Sequence, residues 1–527
     1  MPTKSVAIVG SGVAAAAIAH LLVRKGYRVT IFEKGPDFPY PHTAQFQEEI
    51  HQLYQNPAYD LPADLKWVTT SGTYPGDLNT ERVMVVGGSA TRWNAITLRM
   101  HPDDFRTRTR FGYGSDWPIS YDDIEPYYCR AEGFLGVSGT DADNPYAPKR
   151  SRPYPLPAFP LGYADRMFAD RLRERGILLH TTPQARTRSP YDKRAACANF
   201  GTCYVCPIGA RYSPNHHLIQ AMATGSCTIL LNVSVRRVVL DATGRARAIV
   251  YRPNDGSRDI EHAADLVIVA AGAIESARLL QLSSDSRHPD GIGGAGGQVG
   301  KNLTLHHLWI GNLLYPEFMF AGSVGPVTGQ THRFCNPEGR GRHGGVKVEF
   351  SSHYFGEFAY PERPDSGADI LDAFSQMPKS RGIILHAESV PDANKTVRLS
   401  DERDRFGDPF AHVHYESSEF DRETYRYATS IFEIFRQATR AESAKFSPGD
   451  QFDSGPHHMG TCRMGTDPRD SVVNSYGLVH GTSNLYLAGS SIFVGGSGAV
   501  NPTLTIVALA MRTADHILAV NRNVRNR

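Results

Sequence analysis

The chain has 527 residues, 41% of them hydrophobic, which is ample for two packed domains. Lys and Arg number 56 against 54 Asp and Glu; the formal charge of +2 carries no basic excess for nucleic acid. Seven cysteines are too few and too uneven for a disulfide scaffold, and no apolar run approaches the ~20 residues of a membrane span.

The first patterned stretch already points to a ligand. Ser5–Val9 is an apolar run of the buried-parallel-strand type. It meets Gly10-Ser11-Gly12-Val13-Ala14-Ala15, an alanine-rich helical pattern follows over Ala14–Lys25, and Arg28–Phe32 is a second strand ending on Glu33. Strand, glycine turn, helix, strand and terminal acid in this order make a dinucleotide-binding unit. Gly10 allows the tight turn and Gly12 lets backbone approach a pyrophosphate. Ala15 replaces a third glycine and is small enough for close helix–strand packing. The helix N-terminus offers N–H groups and partial positive charge to phosphate. Glu33 lies where an acid takes the ribose hydroxyls, and its charge disfavours the 2′-phosphate of NADP. FAD and NAD both stay open here. Because the unit begins at Ser5, no secretory signal fits before it. A cytoplasmic protein is expected, with export on a partner's signal left open.

Pro36–Asp77 is polar, aromatic and proline-rich and reads as an excursion. Val83–Val86 is a strand pattern meeting Gly87-Gly88-Ser89, either a second close approach of backbone or a plain turn. Asp122 is placed to cap a helix beginning near Asp123, with Cys129 a buried thiol on it. Lys149–Pro160 reads as a domain boundary or extended crossover. Cys197, Cys203 and Cys206-Pro207 look like the end of an iron–sulfur ligand run. Their spacing departs from the ferredoxin pattern and a fourth cysteine is missing nearby, so a loop of reduced thiols is the other reading.

Thr228–Leu240 and Ala246–Arg252 are strand patterns joined by an Asp-Ala-Thr-Gly turn. Asp265–Ala271 is a buried strand ending at Gly272, with a helix running on over Ala277–Ser283; this is a second strand–glycine–helix unit of a doubly wound sheet. Gly291–Gly300 reads as a mobile loop. Val346–Phe350 and Gly382–Glu388 are strand-like, and Arg422–Arg440 is helical with Ile431, Ile434 and Phe435 on one face. These belong to a sheet-based substrate domain. The last stretch is dense: Pro456–Gly465 (PHHMGTCRMG), the short strand Asn484–Leu487 before Ala488-Gly489-Ser490, and Asn501-Pro502-Thr503 heading a helix over Leu504–Ala519.

The fingerprint, VGGSATRWN, GAIES, HHMGTCRMG and NPTLTI, in this order, resemble the glucose–methanol–choline (GMC) oxidoreductase family of flavoproteins across essentially the whole chain. The resemblance implies FAD and an α/β fold: a Rossmann-like FAD-binding domain interleaved with a sheet-based α+β substrate-binding domain. The FAD domain would take residues 1–36, 77–110, 225–307 and 451–527. The substrate domain and excursions would take 37–76, 111–224 and 308–450. DWPISYDDIEPYY, CPIGA and VGKNLTLHH are similar to bacterial FAD-dependent sugar dehydrogenases, and NPTLTIVALAMR to these and to pyranose oxidases alike. Pyranose oxidases link their flavin to a histidine at the position of Arg92; arginine cannot make that bond, which implies non-covalent FAD. Related sugar dehydrogenases hold a [3Fe–4S] cluster near CPIGA; Cys206 matches one ligand, while Cys203 is shifted in spacing.

Residue by residue, the resemblance implies that Gly10, Gly12, Ala15 and Glu33 hold the ADP part, and that Gly87, Gly88, Ser89 and Asn94 line the flavin edge. Val235 would meet the adenine through its backbone. Gly489 stands where the family usually has an Asp-Ala pair beside the pyrophosphate, and Gly272, Pro502 and Thr503 complete the cofactor set. His457 takes the catalytic-histidine position and Asn501 the second catalytic position. Alcohol oxidation needs a base for the hydroxyl proton and an acceptor for the hydride, and flavin N5 is such an acceptor. Histidine suits the base near neutral pH, and an amide donor steadies the developing alkoxide. His458 is expected behind His457, and Arg463 to be structural. The implied activity is oxidation of a primary or secondary alcohol, in particular a sugar or glycoside hydroxyl. Oxygen or an electron-acceptor subunit would take the electrons. A non-sugar alcohol of choline or sterol type, a flavin-containing lyase and a non-catalytic electron-transfer flavoprotein are the alternatives.

Overall fold

Short, wholly apolar strands are stable only when covered on both faces, and those named above assemble in that way. In the computed structural model, which describes residues 4–38, 40, 63–74, 76–199, 203, 206–320, 325–351, 367–447 and 453–525, five of them form one parallel sheet. Its order is Leu485–Leu487, Leu266–Val269, Ser5–Val9, Arg28–Phe32 and Cys227–Leu230. The helix Val13–Val23 is buried on nearly every side; alanines 14–17 and 19 let it lie close to the sheet and to the last helix, Thr503–Arg525. The stretch Thr503–Arg522 of that last helix is long and apolar enough, by length and composition alone, to cross a membrane, a test that a buried core helix also passes. Here it packs on the helices Val13–Val23 and Tyr121–Leu135.

The second large sheet is antiparallel and begins from Lys301–Leu314, the longest strand described. Ser380–Glu388 pairs along one edge of it; Ser443–Phe446 and Asp453–Thr461 share the other. Val346–Ser351, Val327–Thr331 and His180–Thr181 continue the sheet beyond Ser380–Glu388. Side chains alternate between faces along each strand. One face carries Trp309, Val348, Phe350, Ile383 and Leu385 into the core, where Phe350 meets Phe435 of the helix Glu419–Thr439 at 5.5 Å. The other face carries His306, Leu308, Ile310, Lys347, Glu349, Ile384 and His386.

Several expectations change. The pattern Thr228–Leu240 is two strands in two sheets, broken where Asn232 takes a φ of 54°. Val83–Val86 forms no strand, and Gly88–Thr91 is a 3-10 turn. The helix after Trp117 is Tyr121–Leu135, capped by Ser120 and not Asp122, because the Ser120 hydroxyl and Asp123 carboxylate close a capping box. Cys129 is only partly buried. The helix Glu419–Thr439 starts earlier than its apolar pattern, at a second capping box of Ser418 and Asp421, and Ile434 is 41% exposed. Gly291–Gly300 is packed: a Cβ at Gly300 would stand 2.0 Å from the Val397 carbonyl oxygen. Most of Pro36–Asp77 lies outside the described residues.

Gly10 has φ +89°, and a Cβ there would come within 2.7 Å of the Ala270 carbonyl oxygen of the neighbouring strand. Gly26 has a similar φ of +81° with open space beside it. Both Gly→Ala variants therefore carry the left-handed penalty of about 1–2 kcal/mol, and only Gly10→Ala also collides with main chain. Denaturant unfolding and flavin content of the two purified variants should show Gly10→Ala clearly the less stable and depleted of FAD, with Gly26→Ala retaining it.

Candidate active site

Three strands of the parallel sheet end on glycines: Val9 leads to Gly10, Val269 to Gly272, and Leu487 to Gly489. Ligands bind in the crevice beyond such carboxyl ends. A cavity of about 920 Å³ opens there and runs to the polar face of the antiparallel sheet. Of the residues the sequence singled out, Gly10, Gly12, Glu33, Gly87, Gly88, Ser89, Asn94, Val235, Gly272, Gly489, Pro502, Thr503, His457 and Asn501 all line it. Ala15 does not; it is fully buried on the helix Val13–Val23, where its size matters for packing.

The far end of the cavity suits a dinucleotide. A Cβ on Gly88 would touch the Gly12 Cα at 3.4 Å, so the two glycine segments meet backbone to backbone, while the space over Gly12 is open. Gly12 also precedes the first turn of the helix Val13–Val23, and Gly10–Ala14 line the cavity, so the helix N-terminus borders the space where a phosphate would be favoured. Among the described residues Asn94 Oδ1 is a buried acceptor with no hydrogen-bond partner. Glu33 Oε2 accepts from the Ser11 hydroxyl and amide at 2.5 and 3.0 Å, and Oε1 from the Gly35 amide at 2.9 Å. Burial raises its carboxyl, and these hydrogen bonds oppose that. Arg92 also lines the cavity.

The near end is built by a break in strand pairing. Thr304 pairs with Met459 but His306 with Gly455, so two steps on one strand face four on the other. Bulges of this kind re-aim side chains beside active sites. Here the bulge carries Pro456, His457 and His458. His457 Nδ1 comes to 2.9 Å from His306 Nδ1, and its Nε2 to 3.4 Å from Asn501 Nδ2. His306 Nε2 donates to the Gly496 and Gly498 carbonyls at 2.8 and 3.1 Å. Lys347 Nζ donates to Asn501 Oδ1 at 2.6 Å and pairs with Glu349, whose other oxygen accepts from His386 Nε2 at 2.9 Å.

The electrostatics follow from burial. His457 is held well below the ordinary histidine value, first by burial and then by His306, His386 and Lys347 around it. Burial likewise lowers His306, to about 3, and lowers His386. Burial alone would raise Glu349; His386 and Lys347 outweigh it and keep the carboxylate ionised. His458 points elsewhere. Tyr74 gives its single proton to Glu81 at 2.6 Å and accepts from His458 Nε2 at 2.8 Å. Arg463 binds the Asp470 carbonyl oxygen and is not among the cavity residues.

Sequence reasoning did not single out His306, Lys347, Glu349 or His386. The segment VGKNLTLHH holds the first, and no role was attached to it. Lys347 and Glu349 alternate with valines in VKVEF, a pattern that ordinarily marks a solvent-facing strand, yet both are buried. Among the described residues, the three loop cysteines do not converge as a ligand set. Cys197 Sγ accepts from the Asn199 amide and Cys206 Sγ from the Arg211 amide, and burial raises the Cys203 thiol.

Comparison with known proteins agrees with this architecture. Residues 172–308 and 391–510 match the GMC oxidoreductase family, and residues 8–52 match an NAD(P)-binding Rossmann-like domain. The chain is 30% identical to the fructose dehydrogenase large subunit of Gluconobacter japonicus, over 98% of each chain. It is also 30% identical to 2-methyl-1,2-propanediol dehydrogenase of Mycolicibacterium austroafricanum, over 97% of this chain and 94% of that one. Pyridoxine 4-oxidase from Mesorbium loti shares the fold, with a TM-score of 0.68 over 98% of this chain and 99% of that one at 18% identity. A relative at this identity matched over nearly its whole length, together with two family segments that contain His306 and His457, places the chain in the GMC oxidoreductase family.

Proposed function

We propose that this chain oxidises a hydroxyl of a sugar or glycoside, with FAD as cofactor, His457 as the base and Asn501 as the oxygen-holding donor. The observation that carries the proposal is the pairing of His457 Nε2 with Asn501 Nδ2 at 3.4 Å in the wall of the cavity that starts at the glycine fingerprint. Bound FAD would supply the hydride acceptor. Gly10, Gly12, Glu33, Asn94 and Gly272 are the residues that would hold it.

The protein's own part is proton handling and placement. A hydroxyl set between His457 and Asn501 receives an N–H from the amide and gives its proton to the imidazole. Partial negative charge then grows on the substrate oxygen, and the Asn501 N–H is already aimed there. Losing hydroxyl proton and carbinol hydride leaves a carbonyl. Beyond the pair, the wall mixes Ser351, Glu349 and Glu81 with Leu308, Ile310, Val327 and Ile384. Polar groups set among apolar ones in this wall match a ring with polar edges and C–H faces. The name of the fructose dehydrogenase relative supports a sugar, and its designation as a large subunit supports an electron-acceptor partner, with oxygen the other acceptor. No step calls on Cys197, Cys203 or Cys206, and the proposal leaves a [3Fe–4S] cluster out.

Three outcomes test it. His457→Ala should keep fold and FAD yet lose substrate-driven flavin reduction by about 10²- to 10⁴-fold, the usual worth of a positioned base. Asn501→Ala should lose less, about 10²- to 10³-fold. Stopped-flow reduction of both variants decides; an Asn501→Ala enzyme slower than His457→Ala, with FAD retained in both, names the wrong base. The second outcome concerns pH. The base works deprotonated, and its depressed pKa moves the acid limb below the ordinary histidine value near 6.5. The reduction rate should therefore hold level as pH falls from 8 to 6.5 and drop only further down; a limb centred at or above 6.5 contradicts the site's electrostatics. Third, acid precipitation should release the flavin into the supernatant, since Arg92 offers no linkage; flavin pelleting with the protein refutes the non-covalent reading.

A further inference from the structure

The polarity of the hydrogen bonds around His457 is fixed from two sides. Carbonyl oxygens only accept, so His306 Nε2, between those of Gly496 and Gly498, must carry its proton. A second proton on His306 would make a buried cation beside His386 and Lys347, and burial already holds that ring neutral down to a pKa of about 3. Its Nδ1 is therefore a bare lone pair. His457 Nδ1 lies 2.9 Å away, and two lone pairs do not face each other at that distance, so His457 Nδ1 carries a proton and donates. The other side agrees. A lysine ammonium only donates, so the Asn501 atom 2.6 Å from Lys347 is the carbonyl oxygen, and the amide N–H faces His457 Nε2. That nitrogen must then be the acceptor.

From this we infer that His306 is a positioning residue: it holds the ring proton of His457 on Nδ1 and so keeps the reactive lone pair on Nε2, toward Asn501 and the cavity. The inference rests on His457 being the base, as proposed above. Among the described residues His386 is no substitute. Its Nε2 is engaged by Glu349 and its Nδ1 has no hydrogen-bond partner, while its ring lies nearly parallel to His457 with centroids 6.2 Å apart. The same His306 proton ties down the loop that delivers Asn501. That loop is wedged in place: Cβ atoms on Gly496 and Gly498 would stand 2.5 Å from the Ser389 carbonyl oxygen and 2.8 Å from the Asp104 carboxylate. One imidazole thus registers both members of the pair. After the hydroxyl proton reaches Nε2, the imidazolium keeps its Nδ1–H bond to His306, and the proton need not leave before the carbonyl product forms.

The first test needs no variant. In protein labelled with 15N-histidine, the His457 resonances, assigned by their loss in His457→Ala, should show Nδ1 protonated and Nε2 pyridine-like at neutral pH. A protonated Nε2 in the parent overturns the inference. The second test is kinetic. His306→Leu removes the acceptor, while His306→Gln restores an oxygen toward His457 and an N–H toward the carbonyls. His306→Leu should reduce its flavin about 10²-fold more slowly or worse, in the range of second-sphere and tautomer errors, with substrate affinity little changed. His306→Gln should recover at least about tenfold of that loss. In a His457→Ala background His306→Leu should cost far less than it does alone, because its effect on the tautomer runs through His457 and only its hold on the Gly496 and Gly498 carbonyls is left to lose. Parental rates in His306→Leu, no rescue by His306→Gln, or a full additional loss in the double variant would each overturn the role. If His306→Leu fails to fold, the His306→Gln rate and the parent spectrum still decide. Should His457→Ala itself reduce at the parental rate, the base assignment falls, and the parent spectrum still reports the tautomer separately.

Discussion

The cavity takes its chemistry from the lost register between Lys301–Leu314 and Asp453–Thr461. A regular antiparallel ladder would send neighbouring side chains to opposite faces and set His306 and the 457–458 pair in ranks fixed by alternation. The two extra residues lift His457 out of that ladder, turn it edge-on to His306 at 83°, and leave His458 for Tyr74. Bulged residues give up ladder hydrogen bonds, so the distortion persists only where other contacts over-determine it. The His306 bond and the amide of Asn501 are such contacts. The geometry of the pair and the defect in the sheet therefore support each other.

The second constraint is charge. Lys347 and Glu349 sit on the cavity face of a sheet with almost no exposure, where each alone would cost several kcal/mol to desolvate. Paired, and joined to His386 and Asn501, they leave little net field but a definite direction: donors on one side, acceptors on the other. That direction is what an amide and an imidazole need, because both look alike end to end and differ only in where their hydrogens lie. An apolar pair of equal volume would pack as well and orient nothing.

Much of this was legible in the chain and some was not. The fingerprint, its acid and the strand–glycine–helix units follow from local periodicity and turn chemistry, and they reappear within a few residues of where the patterns put them. His457 and Asn501 were reached through motif resemblance, and the structure brings them together at the cavity wall. The partners that set their protonation were not visible. His306 is 151 residues from His457, and Lys347 and Glu349 imitate a solvent face because alternation is the same whether the polar side meets water or a buried cavity. The Ile434 and Asp122 readings failed for a smaller reason: apolar spacing locates a helix but not its rotation, and a serine–aspartate box, not the first acid, sets its start.

The parallel sheet that cradles the fingerprint carries a further implication for how the molecule comes into being. Its first two strands are made at once, but their neighbours come from residues 227–230 and 266–269, and the outermost from 485–487. The N-terminal unit has both of its strand edges unpaired until Cys227–Leu230 and Leu266–Val269 are made, and the crevice has no second wall until Gly489 and Thr503 follow. Contacts so far apart in sequence close slowly, and an exposed parallel edge invites wrong partners in the interval. The cradle for a dinucleotide is therefore whole only when the chain is nearly complete. A dinucleotide bound across both walls would hold the two halves of the crevice together and favour the closed sheet by mass action.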